Sequence, residues 1–294
     1  RTKMNSAKNL LNGVSISESE RQFIIAGIEG GIRQNGRKCL DYRSISVEAN
    51  VLPQSNGSSR VNISNGATHV IASVKLEIGQ PDQCSPTNGK VEISVECSKS
   101  LFENFEDRSQ DLNASLTNVL KKSIVKSGAV DLESLGIVPQ RFCWVVCIDL
   151  LILQADGNLI DACSFAAYVA LRTTIVPKTV LVEGNGENES DLADFEIEGE
   201  LSQSSRLVGA EKVPICITLN KIGSHFLVDG SIEEETCAEA SLTVSVSRDG
   251  MICGLNKSGT GSIPFDLLSG IAQGANGLAL SIFPVRQPVK SESE

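Results

Sequence analysis

Residues 142–153 read FCWVVCIDLLIL, twelve positions with a single charge at Asp149. No other feature constrains the fold as much. The run is rich in β-branched side chains and too short to cross a bilayer as a helix, so it reads as a strand buried on both faces. Such a strand needs neighbours. Residues 44–51, 60–64, 68–78 and 90–97 alternate in the way half-buried strands do. Asn65-Gly66 makes the second and third a hairpin, because both residues tolerate the positive φ of a tight turn. Ser17 and Glu20 have capping-box spacing ahead of an apolar stripe at Phe23, Ile24, Gly27 and Ile28. Leu112, Leu116, Val119, Leu120 and Ile124 share one helical face. Asp156-Gly157-Asn158 turns the chain after the apolar run, and Asp161 is placed to cap a small-residue helix over 162–171. Residues 215–221, 226–231, 242–247 and 251–256 read as a meander. Ser262-x-Pro264 opens a last helix with Phe265, Leu268, Ile271, Ala275 and Leu278 on its apolar face. The whole is an α+β chain of two lobes, with mixed and antiparallel sheets packed against helices.

Charge divides the chain. Residues 1–178 hold 19 basic and 18 acidic side chains, whereas 179–294 hold 7 and 18. Eight acids and no base fall within 183–200. The net charge of −10 excludes a purely electrostatic DNA binder, and the asymmetry predicts different neighbours for the two ends. The predicted divisions are a flexible leader over 1–14 without a signal-peptide pattern, a first lobe over 15–182, and an acidic linker or edge segment over 183–205. A second lobe over 206–285 and an acidic tail over 286–294 complete the chain. Nine cysteines without tight pairs fit reduced thiols.

Few patterns carry chemistry. Cys143 and Cys147 read as two small core residues rather than ligands. His69 and His225 are far apart in sequence and have no cluster of metal-ligating types near them, so no metal site is expected. There is no nucleophile elbow and no phosphate-cradling GxxxxGK[ST]. The turn at 156–161 stands where a helix N-terminus often holds an anion. Asn158, Leu159 and Ile160 bring neither a cation nor a hydroxyl to it, and Asp156 and Asp161 add negative charge.

With these pieces in order, the chain resembles the ribonuclease PH family. Arg33-x-x-Gly36-Arg37 and Tyr42-Arg43-x-Ile45 resemble its RxDGR…RPI opening, with Asn35 where Asp is usual. Gly57-Ser58-Ser59-x-Val61 and Gly66-x-Thr68-x-Val70 resemble its GSA-V…G-T-V strand pair. Gln154-Ala155-Asp156-Gly157 resembles the QADGG closing its central strand, and Val213-Pro214, Gly223 and Asp229 resemble its second lobe. The resemblance spans residues 15–280 and implies the RNase PH-like (ribosomal protein S5 domain 2-like) fold. The departures matter as much. Active members continue the turn as Gly-Thr/Ser-Arg to hold phosphate, where this chain has Asn158-Leu159-Ile160, a degenerate phosphate site. Active members also carry an Asp pair for metal and acid chemistry, where this chain offers Glu196, Glu198, Glu200, Gln203 and Arg206.

That pattern resembles the non-catalytic ring subunits of the eukaryotic RNA exosome. The resemblance implies a silent structural subunit with no catalytic residue, no cofactor and no membrane. Its implied partners are other RNase PH-like ring subunits, RNA-binding cap subunits, an associated exoribonuclease and the single-stranded RNA threaded to it. The implied location is nucleus, nucleolus and cytoplasm. Arg108 falls where the resemblance puts the pore, and both RNA contact and an ordinary ion pair with Asp107 or Asp111 stay open. Arg33, Arg37, Lys38 and Arg43 form a small basic patch, open to RNA, solvent or, the favoured reading, a neighbouring subunit. The competing readings are an active phosphate-dependent 3′-to-5′ exoribonuclease and a protein-binding module that recruits a basic partner through 183–200.

Overall fold

The computed structural model describes residues 16–101, 106–182, 194–198 and 204–283. Helix α1 (Glu18–Glu29) is followed by strands β1 (Ile45–Ala49), β2 (Gly57–Ile63), β3 (Thr68–Gly79) and β4 (Lys90–Cys97). Next come α2 (Glu106–Leu120), β5 (Gly136–Val138), β6 (Phe142–Gln154) and α3 (Leu159–Thr173). Two short ribbons are formed by β7 (Ile175–Val176) with β10 (Ser205–Arg206), and by β8 (Thr179–Val182) with β9 (Asp194–Ile197). The chain continues through β11 (Ile215–Ile222), β12 (His225–Val228), α4 (Ile232–Cys237), β13 (Ala240–Val246), β14 (Ile252–Gly259) and α5 (Phe265–Ile282).

The first sheet has the order β1-β2-β3-β6-β4, with β5 on β6. The apolar run is its central strand, antiparallel to β3 and parallel to β4. The β2–β3 hairpin turns through Asn65 and Gly66 at φ +54° and +101°, as the dipeptide requires. The expectation that β6 is buried on both faces is corrected. Trp144, Val146, Ile148, Leu150 and Ile152 enter the core, whereas Asp149 and Leu151 point outward and Leu151 is 39% exposed. Helices α2 and α3 both cover the inner face. The outer apolar positions are flanked in register by charged residues instead, as Cys147 is by Lys75 and Glu92.

Helix α2 runs on through a π-turn over Lys121–Val125. Leu112, Leu116, Leu120 and Ile124 are all buried, as their spacing predicts. Helix α3 is buried on nearly every side because β2 and β3 pack on it from the first sheet and β11 from the second. Ala162, Ala166, Ala167 and Ala170 let both sheets approach it closely. The layers are therefore sheet, α3 with α2, second sheet, α5, around one continuous core.

The second sheet is antiparallel with the order β12-β11-β13-β14. This corrects the meander. β13 returns to β11 rather than β12, because the capped helix α4, unforeseen in the sequence, carries the chain back across. The expected face of α5 holds at Leu268, Ile271, Ala275 and Leu278, which lie in or against the core, and is corrected at Phe265. Ala272, Ala275 and Ala279 are its buried residues, while Phe265 is 85% exposed at the start of the helix. The capping box at Ser17 and Glu20 forms as read. α1, grouped with residues 15–182 from the sequence, packs on second-lobe residues: Ile24 and Ile28 join Ile222, Leu227 and Cys237. All nine cysteines are free thiols. Burial pushes Cys97 up to about 12 and Cys216 up to about 11, so both stay protonated and unreactive.

Candidate functional site

The loop between α1 and β1 carries the basic group, and the fold turns it inward. Arg33 is fully buried. Its Nε and Nη2 donate to Glu234 Oε1 and Oε2 at 2.9 and 2.6 Å. Its other N–H groups donate to the carbonyls of Val228 and Asp229 at 3.1 and 2.9 Å. Arg37 Nη1 donates to Asp229 Oδ2 at 2.8 Å. Arg43 donates from its backbone N–H and Nε to Asp229 Oδ2, from Nη2 to Oδ1, and from Nη1 to Asp156 Oδ2. Lys38 is exposed. Within this chain Arg33, Arg37 and Arg43 thus turn to acids of the second lobe. Asp229 and Glu234 are buried carboxylates that need cations, and the three arginines supply them across the lobe boundary.

Asp229 is the hub. It accepts from Arg37, three times from Arg43, and from Asn158 Nδ2. Its backbone holds φ +48°, a strained value for a residue with a side chain. Burial pushes its carboxyl up, but the hydrogen bonds and charge of Arg43, with Arg37 behind it, win and hold it below the ordinary range. Burial pulls Arg43 down, and its hydrogen bonds and ion pair with Asp229 outweigh this and raise it. Burial and the charge of Arg33 lower Arg37.

The turn at 156–158 lies against this hub. Gly157 at φ +75° packs so closely that a Cβ there meets the Gly230 carbonyl oxygen. Asn158 follows at φ +54°. Its backbone N–H, at the N-terminus of α3, donates to Glu235 Oε1 at 2.8 Å. The positive end of the helix therefore already has an anion, supplied by α4. Asn158, Leu159 and Ile160 line a cleft with Leu112, Leu116, Val119, Thr218 and Asn220. Among the described residues, no Lys, Arg or His lines it.

Asp161 does not cap α3. It is the third helical residue, fully buried, and its carboxylate accepts from Tyr42 Oη at 2.8 Å, the Thr218 N–H at 3.1 Å and Thr218 Oγ1 at 2.7 Å. Asn158 takes the cap position, with its side chain committed to Asp229. Arg108 falls in the first turn of α2, and its side chain lies outside the described residues. Glu200 and Gln203 also lie outside them, while Glu196 and Arg206 sit on the β9 and β10 ribbons. Glu234 and Glu235 were not foreseen. Ser231-x-x-Glu234 repeats the capping-box spacing of Ser17-x-x-Glu20, so a signal for α4 was present.

Residues 41–177 match domain 1 of the RNase PH 3′ exoribonuclease family, and residues 212–270 match its domain 2. The chain belongs to this family. A relative from Sulfurisphaera tokodaii named "Exosome complex component Rrp42" is 34% identical over 87% of this chain and 90% of its own. One from Dictyostelium discoideum named "Putative exosome complex exonuclease RRP42" is 30% identical over 83% and 88%. Among solved structures, a chain of "Archaeal exosome core" superposes with TM-score 0.72 at 25% identity, covering 90% of this chain and 94% of that one. A chain of the Archaeoglobus fulgidus exosome with RNA bound to the active site superposes with TM-score 0.74 at 26% identity, covering 89% and 95%.

Proposed function

We propose that this chain is a catalytically silent structural subunit of the hexameric RNase PH-like ring of an RNA exosome. In this role it supports 3′-to-5′ RNA processing and degradation by threading single-stranded RNA to an associated nuclease. The observation that carries the silent part is the contact between Glu235 and the Asn158 N–H. Phosphorolysis needs inorganic phosphate bound beside a cation and free N–H groups. Here a carboxylate holds the helix end, and the cleft beside it is lined by aliphatic and uncharged polar groups together with that same acid. Phosphate entering would meet repulsion and no compensating charge. The ring role is supported by the names of the relatives and by the superposition on exosome core chains. Other RNase PH-like subunits, RNA-binding caps, the nuclease and RNA are the partners of this reading, and nucleus, nucleolus and cytoplasm its location.

Two experiments test it. The pure chain, given single-stranded RNA and inorganic phosphate, is expected to release no nucleoside diphosphate. Phosphate-dependent release that survives removal of trace nuclease overturns the silent reading. Affinity recovery of the tagged chain from its own cells is expected to yield a stoichiometric assembly of RNase PH-like chains with caps. A lone monomer or a homo-oligomer overturns the ring reading.

A further inference from the structure

Asp161 has no part in the reading above, yet it is a fully buried carboxylate without an ion-pair partner among the described residues. It is fully buried on α3 between the two sheets. Its carboxylate joins three segments: Tyr42 in the loop before β1, α3 itself, and Thr218 on β11 of the second lobe. The arginines nearby go to Asp229 and Glu234, and among the described residues no cation forms an ion pair with Asp161. The titratable groups around it are Tyr42 from the loop, Cys216 from β11, and Asp229 beyond the end of β12 with Arg37 and Arg43 upon it. Glu235 of α4 lies one turn away on the Asn158 N–H.

Both protonation states can satisfy their hydrogen bonds. Ionised, the carboxylate accepts from the Thr218 N–H, the Thr218 hydroxyl and Tyr42. Neutral, its own O–H donates to Thr218 Oγ1 at the same 2.7 Å, and the Thr218 hydroxyl turns to Thr243 Oγ1 on β13, 3.2 Å away, where either atom can donate. Only hydroxyl rotors move. The states differ in charge: the ionised form leaves an unpaired negative charge in the core, with the charge of Asp229 opposing it.

We propose that Asp161 is a proton-operated joint between the lobes, tight when neutral and loosened when ionised. Burial first, with Asp229 adding to it against the hydrogen bonds of Thr218 and Tyr42, raises the carboxyl from 3.8 to about 7, which puts the transition near neutral pH. The test is the titration of the Asp161 side-chain carbon by NMR, assigned by its loss in Asp161→Asn, together with urea midpoints from pH 4 to 9. The carbon is expected to titrate about three units above an ordinary Asp. The wild-type urea midpoint is expected to fall as pH rises from about 4 to about 7 relative to Asp161→Asn, and to level off above that. Tyr42→Phe, which removes one donor to the charged form, is expected to raise the titration midpoint and serves if Asp161→Asn does not fold. A carbon midpoint below about 5 overturns the joint. So does a pH profile unchanged in Asp161→Asn, or a midpoint unmoved in Tyr42→Phe.

Discussion

Replacing Arg33 by Met isolates the tie between the lobes. The Arg33 and Glu234 side chains are 0% and 3% exposed, so neither charge has water to fall back on. Removing the guanidinium strands the Glu234 carboxylate, and breaking a buried pair from one side costs about 3–5 kcal/mol. The Val228 carbonyl loses the Arg33 donor too, at about 1–3 kcal/mol where water does not replace it, whereas the Asp229 carbonyl keeps Arg37 Nη2 at 3.0 Å. We therefore expect a loss of about 4 kcal/mol or more, a large part of the roughly 5–15 kcal/mol that holds a domain folded. Urea unfolding followed by the fluorescence of the single tryptophan, Trp144, measures it. The double variant Arg33→Met/Glu234→Leu removes both charges and leaves only the neutral groups unpaired. It is expected to recover at least half of the loss, and the cycle gives the coupling directly. A single-variant loss below about 1 kcal/mol, the size of a surface pair, would refute the reasoning.

Gly157→Ala adds a Cβ against the Gly230 carbonyl at a positive φ, and is expected to destabilise by more than the roughly 1 kcal/mol that the same change gains at a compatible site, read from the same urea unfolding. Leu120→Ala, at a fully buried site between α2 and the sheet, is expected to cost about 2–5 kcal/mol. Ser17→Ala removes a cap from an exposed helix end and is expected to cost only about 1 kcal/mol. Asp161 and Asp229 pull the pH profile in opposite directions. Asp161, raised to about 7, contributes stability that is complete below the ordinary Asp range and lost as pH rises through 7, up to about 4 kcal/mol. Asp229, held low, contributes stability that is present above the ordinary range and lost as pH falls below it. Melting temperature against pH is expected to peak on the mildly acid side, and the peak to move upward in Asp161→Asn.

Much of the fold is legible in spacing. The alternation of β1 to β4, the Asn65-Gly66 turn and the buried face of α2 need only local rules, because period and turn chemistry act within a few residues. What spacing does not encode is which layers meet. The apolar run at 142–153 reads the same whether helices cover one face or two, and the helices here lie on one side only. The strands that are buried on both faces are β11 and β13, packed between α3 and α5. Their many Thr and Ser residues disguise this. Thr218, Asn220, Ser241 and Thr243 look solvated in sequence, but bond one another and Asp161 inside the core. The return of β13 to β11 was missed for the same reason: a six-residue capped helix redirects the chain, and an acidic Glu233-Glu234-Glu235 run reads as surface.

The charge asymmetry has the same moral. An excess of acids after residue 178 reads as an address for outside partners. Three of those acids are spent within the molecule. Asp229 and Glu234 hold Arg33, Arg37 and Arg43 of the first lobe, and Glu235 holds the Asn158 N–H. The loop that resembles the opening signature of the family is thus a structural strap, because its arginines reach carboxylates 192 and 201 residues away. The same arrangement bears on the turn at 156–158. A helix end without a cation or hydroxyl beside it attracts whatever anion the fold can bring to it. In this chain α4 brings one of its own, Glu235, so the N-terminus of α3 helps to fasten one lobe to the other.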